Sequence, residues 1–261
     1  FIVFVELLMV RFGDLCGLAL LLLVSADDWW CAPFPGQCHG RREKLVKRVS
    51  VRMAARLAAP YVVDWDGDGT PDLLIGDYNG RVRYYSKHAN GRYYVHSGDE
   101  DPFQVIPQQV GQSNFSAASP VAVDFDGDGE LELLLSVQGR IRYFKQRSGR
   151  LVEVEEAESP FREIRCSWLA CRFHAADWDA DGDVDLVVPQ GQGLVFLENV
   201  EGVLIPRSGD ANPFRFVVTK YVDNHRGWDG LYSSPFMSDW DGDGDLDLLV
   251  GQADGSLLYF D

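Results

Sequence analysis

From residue 57 onward, short apolar runs separated by Gly-, Asn- and Pro-containing breaks dominate the hydropathy pattern. Four of these runs correspond to one another: Leu73-Leu-Ile75, Leu133-Leu-Leu135, Leu186-Val-Val188 and Leu248-Leu-Val250. Runs this short, bounded by turn residues, predict buried strands rather than helices. Each is followed by a Gly-containing turn and a second run carrying an aromatic residue: Tyr84, Tyr143, Phe196 or Tyr259. A further short stretch, such as Arg92-Tyr-Tyr-Val95 or Leu151-Val-Glu-Val154, completes the unit. A strand also enters each unit, led by Pro60, Pro120 and Pro235, with Phe173 at that place in the third copy. Proline is tolerated at a strand start, where its missing N–H costs little.

The predicted fold class is therefore all-β. Four strands per unit, repeated around an axis, form the blade of a β-propeller, and about four such blades are expected. The repeats fall at about 57–114, 115–167, 168–228 and 229–261, within a propeller region 57–261. Pro-Phe recurs late in the first three units, at Pro102-Phe103, Pro160-Phe161 and Pro213-Phe214. The fourth unit stops at Asp261, after its third strand, so a partial propeller from a truncated chain is expected. The alternative is a last strand contributed from elsewhere, for which Leu45 to Val51 is the obvious donor.

Each leading strand runs into an acidic nonapeptide. The four are Asp64-Trp-Asp-Gly-Asp-Gly-Thr-Pro-Asp72, Asp124-Phe-Asp-Gly-Asp-Gly-Glu-Leu-Glu132, Asp177-Trp-Asp-Ala-Asp-Gly-Asp-Val-Asp185 and Asp239-Trp-Asp-Gly-Asp-Gly-Asp-Leu-Asp247. Their first Asp residues are spaced by 60, 53 and 62 positions. Carboxylates occupy positions 1, 3, 5 and 9, an aromatic position 2 and glycine position 6. Two carboxylates ~4 Å apart repel by ~1 kcal/mol in water and ~4 kcal/mol at an effective dielectric of 20, so this density calls for a cation. Oxygen-only donors suit a hard ion, and Ca²⁺ takes 6–8 oxygens in a flexible loop. An EF-hand would require a bidentate Glu at position 12 and flanking helices. Position 12 is instead Ile75, Leu135, Val188 or Val250, and the flanks read as strands. Trp65, Phe125, Trp178 and Trp240 are expected to pack between blades.

The nonapeptides, with Ala59-Pro60, Ser119-Pro120 and Ser234-Pro235 ahead of three of them, resemble the FG-GAP repeat family and the related VCBS repeats. The third copy departs from the pattern at Phe173 and Ala180, and the second carries Glu132 at position 9. The resemblance covers roughly residues 57 to 261. It implies a propeller similar to the integrin α-subunit head, with about four structural Ca²⁺ ions in its loops. It further implies side-chain ligation by Asp64, Asp66, Asp68 and Asp72; by Asp124, Asp126, Asp128 and Glu132; by Asp177, Asp179, Asp181 and Asp185; and by Asp239, Asp241, Asp243 and Asp247. Position 7 (Thr70, Glu130, Asp183 and Asp245) would contribute its backbone carbonyl.

Composition narrows the function. The 261-residue chain is 46% hydrophobic, enough for sizeable cores, and its formal net charge of −16 disfavours nucleic acid, whose phosphates require clustered Lys and Arg. Residues 1–26 read as a signal peptide starting at Met9, with the apolar run Leu18 to Val24 before Ser25-Ala26; a signal anchor is the alternative, disfavoured by Glu6, Arg11 and Asp14. Residues 27–56 form a Cys- and Trp-containing and then basic segment. After signal removal Cys31, Cys38, Cys166 and Cys171 remain, an even number suited to an oxidising compartment, with three pairings possible. Asn114-Phe-Ser116 is a glycosylation sequon. H-E-x-x-H, G-x-S-x-G and P-loop patterns are absent from the sequence, and no catalytic residue is assigned. The expectation is a secreted or cell-surface, calcium-binding adhesion module for an extracellular protein or glycan, touching membrane only through an N-terminal anchor. Two alternatives accompany it: a lectin using aromatics near Phe115, Trp168 and Trp228, and a non-catalytic accessory part of a larger secreted enzyme.

Overall fold

The chain divides into two units, Phe1–Arg56 and Leu57–Asp261. In the computed structural model the described residues are 58–88, 90–106, 117–148, 150–165, 171–219, 233–252 and 255–261, all in the second unit. The signal or anchor segment, the segment 27–56, the candidate strand Leu45 to Val51, the sequon at Asn114, the aromatics Phe115, Trp168 and Trp228, and every cysteine except Cys171 lie outside them. No helix among the described residues is long and apolar enough to cross a membrane.

Among the described residues fifteen strands form four antiparallel sheets. The first sheet holds β1 (Ala59–Val63), β2 (Asp72–Gly76), β3 (Val82–Lys87) and β4 (Tyr93–Val95) in that order. The second holds β5 (Ser119–Val123), β6 (Glu132–Val137), β7 (Arg140–Arg147) and β8 (Arg150–Glu153). The third holds β9 (His174–Ala176), β10 (Asp185–Gln190), β11 (Gly193–Val200) and β12 (Val203–Arg207). The fourth has three described strands: β13 (Ser234–Ser238), β14 (Asp247–Gly251) and β15 (Leu257–Phe260). Each sheet is a simple up-and-down meander, and together the four are the blades of a four-bladed β-propeller.

The unbroken apolar runs of β2, β6, β10 and β14 follow from their place inside the blade stack. In β6 and β10 a neighbouring blade covers each face, so both sets of alternating side chains are buried. Leu133 and Leu135 of β6 join Leu74, Tyr84 and Phe103 in a core between blades 1 and 2. Leu134, pointing the other way, joins Phe161, Phe173 and Leu186 between blades 2 and 3. In β10, Leu186 and Val188 face blade 2, while Val187 meets Met237, Leu248 and Val250 of blade 4. The structural core is thus three inter-blade layers with no single centre.

The Pro-Phe pairs complete these layers. Phe103, Phe161 and Phe214 are buried, and each packs on the position-2 aromatic of its own blade's acidic loop. The ring centroids lie 4.8 Å apart for Trp65–Phe103, 4.8 Å for Phe125–Phe161 and 4.7 Å for Trp178–Phe214. Each phenylalanine also contacts the aromatic of the third strand, Tyr84, Tyr143 or Phe196. Trp65 and Phe125 therefore pack between blades as expected, and Trp178 is partly buried there. Trp240 corrects the expectation: it is 37% exposed, and no described Pro-Phe phenylalanine stacks on it.

Blades also meet through backbone. Ala118 donates to the Asp77 carbonyl at 3.0 Å, and Thr219 to the Gln192 carbonyl at 3.0 Å, each tying a hairpin turn to the chain leading into the next blade. Gly76 permits the first approach, since a Cβ there would sit 2.2 Å from the Ala118 carbonyl oxygen. Between blades 3 and 4, the Met237 N–H donates to Nδ1 of His174 at 3.3 Å, with the imidazole against the Phe236 ring. Burial pushes the His174 pKa down from its ordinary value to about 4. Protonation would leave a buried cation and remove the acceptor lone pair, so the unfolded chain binds the proton first as pH falls. The stability this histidine contributes is fully present above pH ~6.5 and is lost by pH ~4, declining by ~1.4 kcal/mol for each pH unit between them. Denaturant titrations of wild type and His174→Asn should show the wild type losing about 3 kcal/mol more between pH 7 and pH 4; parallel pH profiles would contradict this.

Candidate metal centres

Each acidic nonapeptide links the first two strands of its blade. Asp72, Glu132, Asp185 and Asp247 at position 9 begin β2, β6, β10 and β14 and are buried, while positions 3 to 6 of each loop are exposed. The chain turns twice through left-handed backbone. Positions 4 and 6 have φ of +71° and +80° at Gly67 and Gly69, and Ala180 holds position 4 of the third loop at +60°. An L-residue in this region costs ~1–2 kcal/mol, which accounts for glycine at seven of the eight positions.

A common set of hydrogen bonds folds the four loops alike. The position-2 N–H donates to the position-9 carboxylate: Trp65 to Asp72 at 3.2 Å, Phe125 to Glu132 at 2.8 Å, Trp178 to Asp185 at 3.1 Å and Trp240 to Asp247 at 2.7 Å. The longer arm of Glu132 thus reaches the same backbone donor as the aspartates. The position-7 N–H donates to the position-5 carboxylate in every loop, from Thr70, Glu130, Asp183 and Asp245 to Asp68, Asp128, Asp181 and Asp243. The position-1 carboxylate accepts from position 6 in three loops, Gly69 to Asp64, Gly129 to Asp124 and Gly182 to Asp177, while Asp239 accepts from Gly242.

This scaffold gathers carboxylates. One oxygen from each of Asp124, Asp126, Asp128 and Glu132 lies within 4.8 Å of the others, so positions 1, 3, 5 and 9 all converge in loop 2. In the other loops positions 1, 3 and 9 converge: Asp64, Asp66 and Asp72; Asp177, Asp179 and Asp185; Asp239, Asp241 and Asp247. Asp68 and Asp181 at position 5 stand outside those groups, and Asp243 joins Asp241 and Asp261 in a separate exposed group. The electrostatic consequence is visible at Glu132 and Asp185. Burial, with neighbouring aspartates adding to it, pushes the Glu132 carboxyl up to about 7 and that of Asp185 up to about 6. Asp124 Oδ1 is buried without a hydrogen-bond partner. Convergent hard oxygens, carboxyls held above their ordinary range and an orphaned buried oxygen fit a divalent cation such as Ca²⁺.

The third strand contributes groups that the sequence pattern did not single out as part of the site. The Tyr84 hydroxyl donates to Asp72 Oδ2 at 2.7 Å, and that of Tyr259 to Asp247 Oδ1 at 2.9 Å. Burial first, and the Asp72 carboxylate second, push the Tyr84 phenol far above its ordinary value, so it remains a donor. Backbone N–H groups of Lys87 and Asn199 reach Asp72 Oδ1 and Asp185 Oδ1, both at 2.8 Å. The recurrence of an aromatic 19 or 20 residues past the first Asp was the available signal, although it did not distinguish a core ring from a ring with a working hydroxyl.

The FG-GAP-like repeat model matches residues 64–135 and 124–188. Residues 64–188 are FG-GAP-like repeats. The matches place the first three acidic loops inside the repeat, and the fourth follows the same hydrogen-bond scheme. The chain is 26% identical over 149 residues to mouse cartilage acidic protein 1, covering 51% of this chain and 20% of that protein. The human protein of the same name matches with the same identity and coverage. This chain thus spans about a fifth of the length of these relatives. Among solved structures it is similar to a Photorhabdus luminescens Tc holotoxin pore, with 18% identity, a TM-score of 0.38, and coverage of 77% of this chain and 9% of that one. It is also similar to an Agrocybe aegerita lectin described as recognising non-reducing terminal N-acetylglucosamine, with 16% identity, a TM-score of 0.41, and coverage of 74% and 46%.

The Tyr84 hydroxyl makes a buried hydrogen bond to a charged acceptor, a class worth about 1.5–3 kcal/mol. In metal-free buffer, Tyr84→Phe should lower the unfolding free energy by about 2 kcal/mol, measured by urea denaturation. A change within ~0.5 kcal/mol would remove the hydroxyl from the loop's support.

Proposed function

We infer that this chain is a calcium-stiffened, extracellular or cell-surface propeller that binds a protein or glycan ligand and acts by binding rather than by catalysis. The observation that carries this reading is the fourfold recurrence of one loop, each copy closed by the same hydrogen bonds around converging carboxylates. The FG-GAP-like repeats support calcium as the cation, and relatives named for cartilage support an extracellular setting. Bound Ca²⁺ would supply positive charge to neutralise each cluster. Asp64, Asp66 and Asp72, Asp124, Asp126, Asp128 and Glu132, Asp177, Asp179 and Asp185, and Asp239, Asp241 and Asp247 are the side chains placed to hold it.

The chain's own residues explain why such an ion would stiffen the propeller. Position 9 is the buried first residue of its blade's second strand, and position 2 carries a ring in an inter-blade layer in at least the first three blades. Neutralising the loop therefore relieves repulsion at the point where two blades and two strands meet. Extracellular calcium is concentrated enough to fill sites with dissociation constants of ~10⁻⁴ M or tighter. A site 100-fold tighter than the free concentration adds ~2.7 kcal/mol to stability.

Excess chelator should lower the melting temperature of the purified propeller by several degrees, and added Ca²⁺ should restore it. Identical melting curves with and without chelator would end the calcium reading. The binding role has a separate test. The Ca²⁺-loaded chain should retain a ligand in a glycan array or in cross-linking to extracellular-matrix proteins, with retention lost in chelator. Absence of any Ca²⁺-dependent ligand in both formats would count against a binding module.

A further inference from the structure

At one shared register position the third strands of the four blades carry four different side chains. Tyr85, Phe144, Leu197 and Phe260 pair with Leu73, Leu133, Leu186 and Leu248, each the residue after position 9. The next residues along the third strands are Ser86, Lys145, Glu198 and Asp261. This column is neutral in blade 1, cationic in blade 2 and anionic in blades 3 and 4.

The structure shows how each behaves. Ser86 is buried, and its hydroxyl shares a 2.7 Å hydrogen bond with His96 Nε2. Glu198 accepts from Nε and Nη2 along one edge of the Arg207 guanidinium, with two hydrogen bonds of 2.6 Å. Asp261 adds a carboxylate oxygen to those of Asp241 and Asp243. Lys145 does the opposite: its ammonium ion-pairs with Asp126, the position-3 carboxylate of loop 2, while lying 5.6 Å from the centroid of the Tyr143 ring. Loop 2 is also the loop where all four carboxylates converge, so this ammonium is tethered to the densest of the acidic clusters.

Resting on the calcium reading above, we propose that Lys145 is the specificity-determining residue of loop 2, an internal cation that competes with Ca²⁺ for Asp126 and makes this the weakest of the four sites. An ion entering loop 2 must either displace the ammonium or share the cluster with it. A single positive charge about 5 Å from a divalent ion, even in water-like dielectric, weakens its binding by roughly tenfold or more. Side-chain exposures of 28% for Lys145 and 31% for Asp126 leave the ammonium able to swing into solvent when an ion displaces it. The carboxylates of loop 2 are partly neutralised by Lys145 in the metal-free protein. Loop 2 consequently depends on calcium for stability less than the other loops do.

Isothermal titration calorimetry of the whole chain with Ca²⁺ tests this, with circular dichroism confirming that each variant is folded. Wild type should show one site at least about tenfold weaker than the rest. Lys145→Met should tighten that site by about tenfold or more, and Lys145→Arg, which keeps the charge, should leave it weak. Asp126→Asn placed on Lys145→Met should abolish the gain, which assigns it to loop 2. No binding in wild type would overturn the calcium reading itself. Binding in wild type with an unchanged isotherm for Lys145→Met would overturn the role of Lys145 alone.

Discussion

A buried carboxylate that opens the second strand of each blade also closes that blade's acidic loop, and the rest of the propeller depends on this double use. Asp72, Glu132, Asp185 and Asp247 each accept the N–H of the loop's second residue, which fixes the aromatic ring at that position. In the first three blades that ring stacks on the Pro-Phe phenylalanine and enters an inter-blade layer. Position 9 therefore transmits the state of the loop to the cores on which the blades are stacked. Burying an anion is costly unless its lone pairs are matched. Here backbone N–H groups, tyrosine hydroxyls and a place for a cation match them.

The loops satisfy that requirement by different means. In the first and fourth, a tyrosine hydroxyl from the third strand reaches the position-9 carboxylate. In the third, the corresponding residue is Phe196, and the backbone N–H of Asn199 reaches Asp185 while the Asn199 side chain bonds the Val184 carbonyl. The second loop has the longer Glu132, an orphaned Asp124 oxygen and a lysine within the cluster. Near-identical sequence motifs thus give electrostatically distinct loops, because the third strand that faces them is free to vary.

Much of the architecture was legible from residues 57 to 261. The apolar triplets after each loop marked the strands buried on both faces, and the alternation within Leu133-Leu-Leu135 became a division between two inter-blade cores. Glycine at loop position 6 was legible, but the left-handed backbone at positions 4 and 6, which Ala180 keeps despite its Cβ, came from the fold. The exposure of Trp240 was not legible. A tryptophan in a matching motif looks like its counterparts, while the ring that stacks on each of those is supplied some 36 to 38 residues later in the other copies. The hydroxyl role of Tyr84 and the neutral, buried state of His174 were hidden for a similar reason, since both depend on neighbours distant in sequence.

The sequence by itself determined the repeat, the strand periodicity, the placement of oxygen donors at positions 1, 3, 5 and 9, and the exclusion of an EF-hand. These are local properties, set by side-chain chemistry and backbone freedom within nine residues. Only the tertiary structure decided which carboxylates converge, which is buried, and which cation or hydroxyl faces it. Those outcomes require the third strand to be brought back beside the loop in register. Lys145 lies 19 residues from Asp126, and only strand pairing turns that separation into an ion pair.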